Sequence, residues 1–175
     1  MDRWVHEQLF ERRIVVVTGP LDDDAAARAA AALLALDARG DEPIHLHVDS
    51  PESALGAAFV LIDVADSLRS PLHVLCRGRV GGPLIGVLAG AGHRAAAAHA
   101  RFHLSQPTAR LAGTPDEIAA QNRRQQDLLW GLYGRLARRT GRPAEEIAED
   151  MRRGRYLDAR EALACGLVDE IVAAR

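Results

Sequence analysis

Residues 71–92 read PLHVLCRGRVGGPLIGVLAGAG, and this stretch decides the fold. Its first part, PLHVLC at 71–76, has the apolar character of a strand, and the small apolar residues at 82–92 favour a helix. The glycines between the two predict a tight turn. A hydrolase built on a strand, a turn and a helix displays its nucleophile at such a turn. The turn RGRVGGPLI, residues 77–85, contains no Ser, Cys or Thr.

Strands and helices alternate on both sides of this stretch. Thr114 is the predicted N-cap of the longest helix, and Pro115 is suited to its first turn. Strands that alternate with helices predict an α/β fold with right-handed crossovers, here as a single domain over residues 1–175. Strands are predicted at 13–17, 43–50, 71–76, 94–98, 101–104 and 167–172. Helices are predicted at 22–40, 54–68, 82–92 and 114–140, with two shorter helices after them.

Composition argues against several classes of partner. The net charge of −2 and the pI of about 6.4 predict neither a nucleic-acid partner nor an anionic membrane surface. No apolar run reaches the roughly 18 residues that span a bilayer. The N-terminus, MDRWVHEQLFERR, has no apolar signal-peptide core. We therefore expect a soluble cytoplasmic protein without a cofactor. All 22 basic residues are Arg, which indicates a GC-rich bacterial genome rather than a function.

The two cysteines, Cys76 and Cys165, match no metal-binding spacing. A reducing compartment keeps such residues as free thiols. We therefore expect neither a disulfide nor a metal site.

Five motifs in a fixed order give the chain a recognisable pattern. They are RIVVVTGPLDD (13–23), HLHVDSPES (45–53), LCRGRVGGPLIGVLAGAG (75–92), FHLSQP (102–107) and the long run from 140 to 172. In this order they resemble the proteolytic subunit of the Clp protease, the ClpP family of S14 peptidases, over nearly the whole chain. The resemblance implies a ClpP/crotonase-like superhelix of repeated ββα units with a protruding handle helix at about 114–140. It also implies seven-membered rings, single or stacked, around a degradation chamber, and a Ser-His-Asp triad.

Carried over residue by residue, the resemblance places the catalytic triad on a degenerate set of positions. The nucleophile falls on Gly82, the base on Ser105 and the acid on Asp150. Gly82 has no side chain, and a serine hydroxyl cannot replace imidazole as a base near neutral pH. His103 is a candidate relocated base, although two strand residues separate it from Ser105 by ~6.6 Å. Asp150 has an alternative structural role, as a helical carboxylate paired with an arginine such as Arg153.

The oxyanion-hole positions implied by the resemblance are also altered. The residue after the nucleophile is Pro83, which has no N–H to donate. The other donor position falls on Glu52 and Ser53, where a carboxylate brings negative charge toward a site that stabilises an anion. The sequence therefore predicts an inactive, ClpR-like pseudo-protease subunit in ATP-dependent proteolysis.

Partners and further roles follow from the same resemblance. The subunit is expected to form rings, alone or with an active ClpP paralogue. Docking of a Clp ATPase is expected to be weakened, since His45 and His47 replace aromatic side chains and the pore-lining N-terminal segment is not found. In the handle, TARLAGT (108–114) keeps a single glycine, which makes ring stacking less expected than ring formation.

Three alternatives remain open. One is a homo-oligomeric scaffold or binding protein. Another is a crotonase-like acyl-group enzyme that uses Glu52, Ser53, His103 and Asp150. The third is residual peptidase activity from an unrecognised nucleophile.

Overall fold

A computed structural model of the chain describes residues 3–108 and 112–173. The strands are β1 (Ile14–Thr18), β2 (Ile44–Ser50), β3 (Leu72–Gly81), β4 (His93–Ala97), β5 (Arg101–Leu104), β6 (Arg155–Asp158) and β7 (Glu170–Val172). The α-helices are α1 (Arg3–Glu11), α2 (Asp23–Asp37), α3 (Leu55–Ser67), α4 (Pro115–Thr140), α5 (Ala144–Arg153) and α6 (Ala159–Ala164). A 3₁₀ helix, Gly82–Gly90, follows β3.

The seven strands form one sheet that is parallel except at one pair. Its main order is β1-β2-β3-β4-β7, and every neighbouring pair in that order is parallel. β5 lies parallel to the far end of β3 and antiparallel to β6. The predicted α/β class is therefore confirmed.

β3 is the element that divides the sheet. Its first half, from His73 to Cys76, pairs with β4, while Arg79 to Gly81 pair with β5. The sheet forks at this point and leaves a space beside the end of β3. The strand predicted at 71–76 is therefore too short, and the correction has a physical reason. The run RGRVG has few strand-forming residues, and the pairing with β2 and β5 keeps it extended.

The segment after β3 packs as a tight helical layer in the core. A helix was predicted at 82–92, and the structure has a 3₁₀ helix that ends at Gly90. A Cβ at Gly86 would lie 2.4 Å from Leu132 Cδ1 and 2.8 Å from Ile62 Cδ1. Glycine at this position therefore lets α3 and α4 approach the 3₁₀ helix closely.

One face of the sheet packs on the core and the other stays half-exposed. In β2, Ile44, Leu46 and Val48 are buried, while His45 and His47 alternate with them on the other face. β6 was not predicted, because its four residues are too few for a period-2 pattern to stand out beside α5 and α6.

Helix α4 projects from the body at its N-terminal half. Thr114 and Glu117 form a capping box at its start, as the sequence predicts for the N-cap. Its buried residues are confined to the second half, at Leu129, Leu132, Tyr133 and Leu136. There Arg135 donates to the Gly86 carbonyl at 2.9 Å and to both carboxylate oxygens of Asp66. Of the preceding handle segment predicted at 108–114, residues 109–111 lie outside the described part of the chain.

Candidate functional site, a dismantled strand-turn-helix centre

The turn between β3 and the 3₁₀ helix has the backbone of a nucleophile turn without the nucleophile. Gly82 is buried and has φ = 64°, in the left-handed region that glycine adopts without a steric penalty. A Cβ at this position would lie 3.0 Å from the Ser53 hydroxyl oxygen. The turn is therefore shaped for glycine, and a side chain here would meet Ser53.

Ser53 is used to hold the same turn together. Its hydroxyl donates to the Gly81 carbonyl at 3.1 Å and accepts the Leu84 N–H at 2.9 Å. Pro83, between Gly82 and Leu84, has no N–H. The first N–H after the nucleophile position is thus absent, and the N–H of Leu84 is bonded to a side chain of the protein itself. Ser53, a predicted oxyanion-hole position, acts here as a structural hydroxyl.

Glu52 belongs to a loop that is tied to the start of α2. Its carbonyl accepts the Leu21 N–H at 2.9 Å and the Ser50 hydroxyl at 3.1 Å, and the Ala54 N–H returns to the Leu21 carbonyl. The Glu52 side chain is exposed and lines the cavity beside Gly82. The Glu52 carboxylate therefore places a negative charge at the edge of this cavity.

The base position and the acid position still meet through the backbone. The N–H of Gln106, the residue after Ser105, donates to the carbonyl of Met151, the residue after Asp150, at 3.1 Å. The backbone therefore brings these two predicted positions close to each other.

Asp150 is held in an ion-pair cluster. Its carboxylate accepts from Arg142 at 2.7 Å and from Arg155 at 3.2 Å, and the side chain is 14% exposed. Asp150 is thus paired with arginines, as expected for a structural carboxylate, but they are Arg142 and Arg155, while Arg153 pairs with Glu149. Arg142 comes from the turn before α5 and Arg155 from β6, so both cations approach the carboxylate from outside its own helix.

His103 packs its ring against another ring. It stacks on Tyr156 with ring centroids 4.0 Å apart and 3° between the planes, as the register of β5 and β6 dictates. Within residues 3–108 and 112–173, neither ring nitrogen of His103 has a hydrogen-bond partner. A general base needs a group that orients it. Asp150 is bonded elsewhere, so the arrangement does not favour His103 as a relocated base.

Most of these positions line a cavity of about 650 Å³ next to the fork of the sheet. It brings together Gly82, Glu52, Ser53, His103 and Ser105. Asp150 and Pro83 are not among the described residues that line it. The crotonase-like alternative therefore retains three of its four proposed residues at the cavity and loses Asp150.

Sequence reasoning missed three side chains of this cavity. Arg79 and Arg101 are neighbours in register on β3 and β5, and Tyr156 is on β6. The alternation R-G-R at 77–79 is the signal that could have found the first of them. Once β3 is taken to extend to Gly81, a period of two places Arg77 and Arg79 on one face.

Other described residues give no sign of a metal or membrane site. Among residues 3–108 and 112–173, no group of His, Cys, Asp and Glu is arranged to hold a metal ion. In the same part of the chain, none of the helices has the length and apolarity needed to cross a bilayer. Cys76 and Cys165 are free thiols, and burial raises the pKa of Cys76 to about 12.

Fold and site together define a class of protein: an α/β protein with a mostly parallel sheet and a cavity beside a strand-turn-helix segment that has Gly82 at its turn. The family model described as Clp protease matches residues 2–175. The chain therefore belongs to the Clp protease family, which confirms the predicted family and a connection to proteolysis. Members of this family typically form oligomeric rings.

Proposed function

We propose that this protein is a catalytically inactive subunit of a Clp protease, a pseudo-protease that assembles into rings. The rings contain this chain alone or this chain with an active paralogue. One observation carries the proposal. Gly82, at the nucleophile position, has a left-handed backbone conformation that suits glycine, and the Ser53 hydroxyl is hydrogen-bonded to the backbone on both sides of it. A serine nucleophile, its base and one oxyanion donor are all missing from the same small region.

The magnitudes support inactivity by several independent routes. Loss of the serine nucleophile of a protease costs ~10⁶ in turnover. Loss of one oxyanion donor costs about 10²–10³. The remaining acid, Asp150, is held by Arg142 and Arg155, both of which donate to its Oδ2, and it has no imidazole to orient at position 105.

Assembly is supported by family membership and by exposed surface that the core does not use. The N-terminal half of α4 has no buried residue, and Trp130, near its middle, is 49% exposed on the helix surface. A long helix with so little contact to its own chain is stabilised by packing against another one. A neighbouring subunit supplies such packing.

The test of assembly is native mass spectrometry of the tagged protein purified from its own host. Masses that combine this chain with a paralogue carrying an intact triad support the regulatory subunit. A pure ring of this chain supports the homo-oligomeric form. A monomer at micromolar concentration contradicts the proposal in both forms.

The test of inactivity uses the pure protein with a fluorophosphonate probe and a fluorogenic peptide. We expect neither labelling nor hydrolysis. If labelling occurs, peptide mapping of the modified residue identifies the nucleophile, and a Ser53→Ala variant decides whether Ser53 is that residue. A labelled serine whose removal abolishes hydrolysis overturns the proposal.

A further inference from the structure

Two arginines stand side by side on the wall of the cavity next to Gly82. Arg79 of β3 and Arg101 of β5 are partners in register across a parallel pair, so their strands run about 4.8 Å apart. Both side chains are exposed and both line the cavity. Like charges directly opposite one another on a sheet destabilise it. The fold tolerates this repulsion at the mouth of a cavity.

In the part of the chain that the structure describes, neither guanidinium group forms an ion pair with a carboxylate, although the Glu161 N–H and, more weakly, the charge of Arg101 lower the pKa of Asp158. Within residues 3–108 and 112–173, no Asp or Glu oxygen lies within 4.0 Å of either group, and Arg101 donates to the Ala100 carbonyl instead. Asp158 is the register partner of Arg101 on β6, yet its carboxylate accepts the Glu161 N–H at 2.8 Å and caps α6. Asp49 accepts the backbone N–H of Arg79.

The acidic residues of the cavity come from other elements. Asp22 precedes α2 and accepts the Ala25 N–H at 2.8 Å as its N-cap. Glu52 lies in the loop after β2, so both acids come from loops beside the start of α2. The next register row on the same face of the sheet is Gly81, His103 and Tyr156, two residues along each strand from the arginine pair, and Tyr156 is 66% exposed. The arginines thus adjoin a flat aromatic surface.

We propose that Arg79 and Arg101 form an oxyanion site, and that the cavity binds a small ligand through a carboxylate or a phosphate group. Two planar guanidinium forks match either group in bidentate geometry, and a ligand anion removes the repulsion between them. The body of the ligand lies against Tyr156 and His103. In one respect this inference rests on the proposed function, because the ligand stays uncleaved in a cavity without a nucleophile.

The experiment is isothermal titration calorimetry on the full-length protein at low salt. The probes are N-acetylated trialanine with a free C-terminal carboxylate, the same peptide as its C-terminal amide, and inorganic phosphate. The variants are Arg79→Gln, Arg101→Gln and, as the matched control, Arg77→Gln. Arg77 is an exposed arginine of the same strand that does not line the cavity.

We expect either the peptide with a free carboxylate or inorganic phosphate, or both, to bind. If the peptide binds, its free acid should bind at least about tenfold more tightly than its amide, because the amide loses roughly one charge-assisted hydrogen bond. Arg79→Gln and Arg101→Gln should each weaken anion binding by a similar factor, while Arg77→Gln leaves it unchanged. The tighter of the free acid and phosphate identifies the source of the oxyanion.

Two results overturn the inference. The first is binding of neither anion to the parent protein, or equal binding of the acid and its amide. The second is an equal effect of all three arginine variants, which would indicate unspecific attraction to positive charge. Mass spectrometry of the recovered peptide separates this test from that of inactivity. A cleaved peptide refutes inactivity and leaves the binding result standing.

Discussion

Introducing the serine and histidine that the proposed function assigns to the triad positions, with Gly82→Ser and Ser105→His together, is expected to yield a folded protein that still has no peptidase activity. The structural cost comes from the turn. Gly82 has φ = 64°, and the left-handed conformation costs a residue with a Cβ about 1–2 kcal/mol. The new Cβ would also lie 3.0 Å from the Ser53 hydroxyl, which must move slightly. For a chain of this length that cost lowers the melting temperature by roughly 2–8 °C.

Catalysis stays blocked for two further reasons. Pro83 leaves the oxyanion without its first donor, a loss of about 10²–10³ in rate. The introduced imidazole meets an Asp150 whose Oδ2 is held by Arg142 and Arg155, and a base that is wrongly oriented loses about 10⁴. Together the two defects are expected to leave too little hydrolysis for a fluorogenic assay to detect.

The assay combines differential scanning fluorimetry, fluorophosphonate labelling and peptide hydrolysis. Gly82→Ala combined with Ser105→His is the control, because it introduces the same backbone strain and the same imidazole without a nucleophile and should lower the melting temperature equally. Rapid labelling of the introduced serine, or hydrolysis well above that of this control, would refute the expectation that several independent defects block catalysis.

Three further predictions concern the scaffold. Asp150→Asn should lower the free energy of unfolding by about 1–3 kcal/mol in denaturant titration, because the Arg142 and Arg155 guanidinium groups lose a charged acceptor. Gly86→Ala should cost about 1–3 kcal/mol by overpacking against Leu132 and Ile62. Hydrogen bonding to Arg94 lowers the pKa of Asp169, so its contribution to stability is present above the ordinary carboxylate pKa and is lost as pH falls through the lower, folded-state value. In Asp169→Asn, the free energy of unfolding should therefore fall less between pH 7 and pH 2 than it does in the parent protein.

The first two of these have a control within the same chain. Glu149→Gln removes exposed pairs with Arg152 and Arg153 and should change stability by no more than about 1 kcal/mol. Gly131→Ala, in α4 with nothing within 4 Å of the new Cβ, should stabilise by about 0.5–1 kcal/mol. An equal cost at Gly86 and Gly131 would contradict the packing argument. If the free energy of unfolding of Asp169→Asn falls with pH as steeply as that of the parent protein, the role assigned to the pair of Asp169 and Arg94 is contradicted.

Local chemistry in the sequence was enough to locate most of the scaffold. Asp22 caps α2 and Thr114 caps α4, as residues of these types do at helix starts. The apolar strands β1 and β2 lie within one residue of their predicted bounds, because burial of alternate side chains needs no distant partner to be recognised. The absence of a nucleophile at Gly82 and of an N–H at Pro83 is a covalent fact that can be read without coordinates.

Other features depended on contacts between segments far apart in the chain. β3 continues to Gly81 because β2 and β5 pair with it there, and the residues themselves are poor strand formers. Ser53 proved to be a structural hydroxyl only once the turn at Gly82, about thirty residues later, was seen against it. The partners of Asp150 could not be chosen from helical spacing, since Arg142 and Arg155 come from outside α5.

The sequence by itself determined that the turn after β3 has neither a hydroxyl or thiol at Gly82 nor an N–H at Pro83, because a side chain or an N–H is present or absent in the covalent structure. It also determined the alternation of strands and helices, since hydrophobic periodicity and caps are local. The tertiary structure alone decided what the remaining polar groups do. Register placed Arg79 beside Arg101, and packing placed Ser53 in the turn and Asp150 between two arginines, because these contacts depend on how distant segments meet in space.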